Sequence, residues 1–162
     1  MSDNKSINPI CWVPTVYFAM GLPFVALSMV SVLMFSDMGV SNAQIASWTS
    51  LIMLPWTLKP LWSPFVDILK TRRWWIIMMQ LLVGAGLAGI AFTIPTSFFL
   101  QVTLAFFWLL AFSSATHDIA ADGFYMLGLN EKKQAYFVGI RNTFYRFAVI
   151  FGQGILVMFA GW

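Results

Sequence analysis

The sequence has few of the residue types on which enzymes and metal sites usually depend. Histidine and cysteine occur once each, as His117 and Cys11. One cysteine forms no disulfide within the chain, and one histidine cannot supply the paired histidines of the common zinc motifs. The serines stand in no context that resembles a nucleophile elbow. We therefore expect no enzyme activity, no catalytic residue, no metal site and no cofactor.

Charge is scarce as well. Charged residues make up 9% of the 162 residues, against 60% hydrophobic and 17% aromatic residues, and the mean hydropathy is +0.80. The net charge of +3 comes from nine Lys and Arg and six Asp and Glu, which are clustered. This composition is typical of a membrane protein, whose basic clusters set its topology. We expect membrane lipid as a partner and no binding to nucleic acid.

Five apolar segments follow a polar tail at residues 1–9. They lie at about residues 10–35, 42–69, 74–94, 98–127 and 134–160. Each is long enough to cross about 30 Å of hydrocarbon as a helix. The fold class is therefore all-α, a polytopic transmembrane bundle at residues 10–162 that stops before a sixth span. Gly21 and Pro23 interrupt the first span, and the kink serves either packing or gating.

The loops predict the orientation of these spans. Lys70, Arg72 and Arg73 form one basic loop, and Lys132 and Lys133 form another, whereas the loops at 36–41 and 95–97 contain no Lys or Arg. By the positive-inside rule, both basic loops and the N-terminus are cytoplasmic.

The second and third spans have unusual compositions. Pro55, Pro60 and Pro64 break the second span, and Lys59 lies within it, about 16 Å from Lys70 along a helix. A lysine so deep should face the interior of the protein. The third span contains Gly84, Gly86 and Gly89, which should let another helix approach closely.

The fourth span carries the strongest functional signal. Asp118 and Asp122 are four residues apart, so they share one helix face. Ionisable residues at membrane depth commonly mark ion or substrate pathways. His117 points about 100° away from Asp118 on a helix, and it is either a hydrogen-bonded packing residue or a proton relay.

A short loop joins the fourth and fifth spans, so we expect them to pack as antiparallel neighbours. Counted from Lys132, Asp122 and Arg141 then lie at similar depths of about 15 and 14 Å, and Asp118 and Arg146 both at about 21 Å. This predicts two ion pairs, Asp122 with Arg141 and Asp118 with Arg146. They either fix two helices together or exchange partners and protons during transport.

Several motifs together resemble a known family, the AmpG-type muropeptide permeases and related acetyl-coenzyme A transporters of the major facilitator superfamily. The resemblance covers nearly the whole chain after residue 10. The matching stretches are Phe18-Ala19-Met20-Gly21-Leu22-Pro23, Leu58-Lys59-Pro60-Leu61-Trp62-Ser63-Pro64-Phe65-Val66-Asp67, Arg72-Arg73-Trp74, Ala115-Thr116-His117-Asp118-Ile119-Ala120-Ala121-Asp122-Gly123 and Tyr145-Arg146.

This resemblance implies the N-terminal part of a proton-coupled secondary transporter in the bacterial inner membrane. Such a permease would import a small polar solute, such as a muropeptide, by alternating access between two six-helix halves, with the missing C-terminal half as partner. The implied site residues fall into two groups. The cytoplasmic gating motif comprises Asp67, Arg72 and Arg73, and the pathway for protons or substrate comprises Lys59, His117, Asp118, Asp122 and Arg146, with Arg141 added by its depth.

The sequence departs from the family pattern at two places. Ile68 follows Asp67 where the usual loop motif has Arg, and His117 stands where the family commonly has Gln. A second interpretation also remains open at this stage. The chain could be a truncated or degenerate membrane protein that acts as a scaffold and transports nothing.

Overall fold

The computed structural model describes residues 8–93, 99–156 and 158, and within these ranges the chain is helical, with short turns and no strand. The all-α prediction is therefore confirmed. The helices are α1 (Pro9–Val25), α2 (Ser31–Asp37), α3 (Asn42–Ile52), α4 (Leu54–Thr57), α5 (Lys59–Leu69), α6 (Arg72–Thr93), α7 (Phe99–Gly128) and α8 (Glu131–Phe151), with π-helical turns at Ala26–Val30 and Gly152–Leu156.

Three predicted features fall wholly or partly outside the described residues. They are the N-terminal tail before residue 8, the external turn at 95–97 and the end of the fifth span at 159–160.

Side-chain caps explain several of the helix starts. Asn8 caps α1, whose first residue is Pro9. The side chains of Ser41 and Asn130 accept hydrogen bonds from the backbone N–H groups of Gln44 and Lys133, at the starts of α3 and α8. Capping of this kind satisfies N–H groups that have no partner within the helix.

Three helical stretches of the described chain are long and apolar enough to cross a membrane: Pro9–Asp37, Arg72–Phe92 and Leu100–Gly128. The other two predicted spans are not confirmed by this criterion. Residues 42–69 are divided into three short helices, with prolines at the starts of α4 and α5. The charges of α8, including Arg141 and Arg146, lower its hydropathy.

The longest helix, α7, lies at the centre of the bundle and packs mainly against α6 and also against α1, α4 and α5. Gly86 and Gly89 permit the close contact with α6, because a Cβ atom there would press on Leu110 and Phe106 of α7. The glycine prediction is thus confirmed at these two positions. It is wrong for Gly84, since a Cβ atom there would meet nothing within 4 Å.

Helix α8 packs chiefly along α1 and not along α7, its predicted neighbour. Its contacts with α7 are made by side chains, among them Phe137 in the cluster with Tyr125 and Arg141 with Asp122. Gly21 lies at the crossing, where a Cβ atom would stand 2.8 Å from Ala148 Cβ and 2.9 Å from the carbonyl oxygen of Tyr145. Gly21 and Ala148 therefore allow α8 to pack closely against α1 at this crossing. Pro23 lies within α1, and the π-helical turn that begins at Ala26 carries the helix on into α2.

Candidate functional site

Asp118 is held by two residues of the broken second segment. Lys59 Nζ lies 2.8 Å from Asp118 Oδ2, and Trp56 Nε1 donates to the same oxygen at 3.0 Å. Asp118 is only 9% exposed, and its other oxygen, Oδ1, is buried without a hydrogen-bond partner among the described residues. The prediction that Lys59 faces the interior is correct, whereas the predicted pairing of Asp118 with Arg146 is wrong.

The break between α4 and α5 explains how Lys59 reaches this position. Leu58 has φ −91° and ψ 2°, which ends α4, and Lys59 begins α5 with Pro60 in its first turn. Proline is tolerated there because the first N–H groups of a helix need no acceptor within it. The proline-rich sequence thus interrupts the helix where α4 and α5 supply one donor each.

Asp122, one turn further along α7, has a separate set of partners. Tyr17 Oη donates to Asp122 Oδ1 at 2.7 Å, and Arg141 Nη1 lies 3.4 Å from the same oxygen. Arg141 also donates to Tyr17 Oη at 3.1 Å, and its guanidinium carbon lies 5.2 and 4.9 Å from the ring centres of Tyr17 and Tyr125. The predicted pairing of Asp122 with Arg141 is therefore confirmed.

Arg146 stands apart from both carboxylates. Its side chain is on the exposed surface of α8, and it makes no ion pair with any residue in the described parts of the chain. Arg146 follows Arg141 by five residues, so its side chain points about 140° away around the helix and does not share the direction in which Arg141 reaches α7.

The three residues of the predicted gating motif come together where α5, α6 and α7 meet. Arg72 Nη2 lies 2.8 Å from Asp67 Oδ1, and the Arg72 guanidinium crosses α7 at Gly123, where a Cβ atom would overlap it. Arg73 lies over the ring of Phe124, 5.3 Å from its centre. The motif therefore fastens the α5–α6 connection onto α7, and Gly123 provides the space for it.

A cavity of about 370 Å³ connects this motif with the carboxylate sites. It lies between α5, α6 and α7, and some residues of the predicted pathway and of the gating motif line it, whereas Asp118 does not. Its polar lining residues are Lys59, Ser63, Asp67, Arg72 and Asp122. Asp122 has an exposed side-chain fraction of 50%, against 12% for Asp118. The two carboxylates therefore differ in access to solvent although they are one turn apart.

His117 lies on a different side of α7. It is 3% exposed, and its Nε2 atom is buried with no hydrogen-bond partner among the described residues. It lines a cavity of about 300 Å³ between α1, α6 and α7, together with Gln80 and Ser114. The structure does not bring His117 into hydrogen-bond contact with Asp118 or Asp122. No group of three or more metal-ligating side chains occurs in the part of the chain that the structure describes.

Sequence analysis missed two polar partners of the carboxylates. Trp56 gave no signal, because it is one of eight tryptophans in a chain rich in aromatic residues. Tyr17 could have been found, since the chain has only four tyrosines and a hydroxyl group within an apolar span needs a hydrogen-bond partner.

Comparison with known proteins places these motifs in a family. The chain is 30% identical over 142 residues to an uncharacterized protein of Schizosaccharomyces pombe. The aligned region covers 82% of this chain and 27% of that protein. It is 31% identical over 153 residues to an uncharacterized protein of Haemophilus influenzae, covering 88% of this chain and 34% of that protein. The chain thus spans about a third or less of the length of these relatives. No solved structure matches it.

Residues 19–159 match the BT1 family, a family of transporters like those of the major facilitator superfamily, which includes an acetyl-CoA transporter and related permeases. The match covers every residue of the two carboxylate sites except Tyr17, and it covers the whole gating motif. The protein is therefore a membrane protein that belongs to the BT1 family of transporters.

Proposed function

We propose that this chain forms part of a proton-coupled secondary transporter that imports a small polar solute, such as a muropeptide, by alternating access. In this proposal all five segments cross the bacterial inner membrane, with the N-terminus in the cytoplasm. The α3–α5 segment crosses as a broken helix, and α8 crosses with Arg141 and Arg146 at membrane depth. Broken helices of this kind are tolerated where they line a cavity or are buried in protein.

The observation that carries the proposal is the division of partners between Asp118 and Asp122. Asp118 is bound from α4 and α5, whereas Asp122 is bound from α1 and α8. A carboxylate that gains a proton loses much of its attraction for its cation. Protonation of either residue would therefore loosen α7 from a different pair of segments, which is what a coupled conformational change requires.

The gating motif supports the same proposal. Asp67 and Arg72 join α5 to α6, and Arg72 rests on α7 at Gly123. Lys59 and Asp67 are at opposite ends of α5, so α5 connects the Asp118 ion pair with the gating contact. A movement of α5 that releases Lys59 from Asp118 would also displace Asp67.

The test uses the full-length protein in liposomes with an alkaline interior and an acidic exterior. Uptake of two radiolabelled probes, a muramyl peptide and acetyl-CoA, would be measured with and without a protonophore. We expect uptake of the muramyl peptide that the protonophore abolishes. Uptake that does not respond to the pH gradient, or none of either probe, would contradict the proposal.

A further inference from the structure

Helix α8 has three faces of different character. The face that packs on α1 contains Arg141, Tyr145 and Ala148, which are buried or half-buried. A second face is exposed and apolar, with Tyr136 at 70% and Phe147 at 56% exposure, as suits contact with lipid. The third face is exposed and polar, and neither the packing of the bundle nor lipid accounts for it.

This third face, here called the polar stripe, comprises Gly139 and the three polar residues Asn142, Arg146 and Gln153, all of them exposed. Their spacings of three, four and seven residues place them within about 60° of one another on a helix.

The depth of Arg146 along α8 makes contact between the polar stripe and lipid unfavourable. Arg146 lies about 21 Å from Lys132 along α8, which is near the middle of a bilayer if α8 crosses it. A side chain there is too short to carry its charge to either surface, and a charge that faces lipid is strongly disfavoured. The stripe therefore faces water or another polar surface.

The charges at membrane depth indicate that the polar stripe lacks an anion. At membrane depth, Lys59 is neutralised by Asp118 and Arg141 by Asp122. Arg146 is the remaining cation of this depth in the described chain, and no carboxylate of that part lies within ion-pair distance of it. An arginine at this depth needs an anion, and its planar guanidinium suits a carboxylate or a phosphate.

We propose that the polar stripe lines a water-filled pathway and that Arg146 binds an anionic group, a carboxylate or a phosphate, of the transported solute. This inference rests on the proposed transport function and adds the charge of the solute and the helix face that recognises it. Asn142, one turn before Arg146, supplies an amide that can donate a second hydrogen bond to the same anion.

Cysteine labelling of the full-length protein tests the first part. All native cysteines, including Cys11, are replaced by serine, and a single cysteine is introduced as Asn142→Cys on the stripe or Phe147→Cys on the apolar face. Each variant is treated with two water-soluble methanethiosulfonate reagents, one with a sulfonate and one with a trimethylammonium group. We expect labelling of the Asn142→Cys variant and little labelling of the Phe147→Cys control. An unreactive cysteine at 142 would mean that protein or lipid covers the stripe, and would overturn the proposal.

The same reagents test the role of Arg146. The two reagents carry charges of opposite sign. Arg146 should therefore accelerate the reaction of the anionic reagent with the cysteine at position 142 and slow the reaction of the cationic one. At a separation of about 6 Å in a water-like dielectric, each rate changes about threefold, so Arg146→Gln should lower the anionic-to-cationic ratio about tenfold. Arg146→Lys should largely retain the ratio, and size-exclusion chromatography would verify that each variant is folded.

A ratio that does not change in the Arg146→Gln variant would contradict anion binding. That result is expected if a carboxylate elsewhere in the full-length protein already neutralises Arg146. Labelling does not depend on uptake, so the two proposals can fail separately. Normal labelling with no pH-driven uptake would count against the transport function, and normal uptake with an unlabelled stripe would count against this inference.

Discussion

Lys59 Nζ and Asp118 Oδ2 lie 2.8 Å apart, and this contact joins the broken segment of the chain to its central helix. The lysine is the first residue of α5, and the carboxylate is two thirds of the way along a thirty-residue helix. Trp56 Nε1 reaches the same oxygen from α4. Two short helices are thus fastened to α7 at one oxygen atom, on both sides of the break at Leu58.

Replacing Lys59 by Met should destabilise the protein, because the buried Asp118 would lose the cation that lies 2.8 Å from its Oδ2 atom. We expect a loss of about 1 to 3 kcal/mol in unfolding free energy, measured by denaturant titration in detergent micelles. The double variant Lys59→Met, Asp118→Asn removes both charges and should recover part of that loss. A double variant less stable than the sum of the two single changes would argue against the ion pair.

Tyr17→Phe should weaken the Asp122 site while it leaves the ring contact with Arg141 in place. The hydroxyl donates to Asp122 at 2.7 Å and accepts from Arg141 at 3.1 Å, and both hydrogen bonds would be lost. The expected cost is about 1 to 2 kcal/mol in unfolding free energy. Tyr136→Phe is the matched control, because Tyr136 is 70% exposed. Equal effects of the two changes would be evidence that the Tyr17 hydroxyl is not part of the site.

Gly21→Ala should separate α1 from α8, since the added methyl group would meet Ala148 Cβ at 2.8 Å and a backbone oxygen at 2.9 Å. Neither atom belongs to a flexible side-chain end, so the helices must move. We expect a loss of about 1 to 3 kcal/mol, the usual range for overpacking, seen as a lower thermal unfolding temperature. Gly84→Ala is the control with open space around it, and it should not lower that temperature.

Gly123→Ala should act through Arg72 alone. The new methyl group would occupy the position of the Arg72 guanidinium, which is flexible and can move away at the cost of its contact with Asp67. Because Asp67 is 44% exposed, the expected loss is about 1 kcal/mol or less.

Non-additivity is the decisive part of this test. Asp67→Asn removes the same contact, so adding Gly123→Ala to it should change the unfolding temperature little further. Fully additive effects would show that Gly123 does not position Arg72.

The positions of several helices could be predicted well because apolar runs and prolines are local signals. The third and fourth segments, expected at about 74–94 and 98–127, are the helices Arg72–Thr93 and Phe99–Gly128. The prolines likewise marked the breaks in the second segment. The number of spans could not be confirmed in this way, because charges at membrane depth lower the hydropathy of a helix such as α8.

The site could be predicted only in part. Counting residues along a helix gives the depth of a side chain in the membrane but not the direction in which it points. Depth correctly paired Asp122 with Arg141, and it wrongly paired Asp118 with Arg146. Whether Arg146 can reach Asp118 depends on how α8 lies against α1, where Gly21 meets Ala148. Sequence spacing does not show which way each helix faces. It could therefore place Lys59 in the interior but could not identify it as the partner of Asp118.

In the proposed transport cycle, the carboxylates of α7 couple proton movement to solute transport. The most direct measurement uses full-length protein in liposomes that contain a pH-sensitive dye, with the internal pH recorded as an external muramyl peptide is added. Wild type and the control variant Asp37→Asn should acidify the interior as solute enters, since Asp37 is exposed at the end of α2, away from both carboxylate sites. Asp118→Asn and Asp122→Asn should each reduce acidification at least about tenfold, as expected when an essential proton-transfer group is removed. Acidification at the wild-type rate in the double variant Asp118→Asn, Asp122→Asn would show that neither carboxylate couples proton movement to transport.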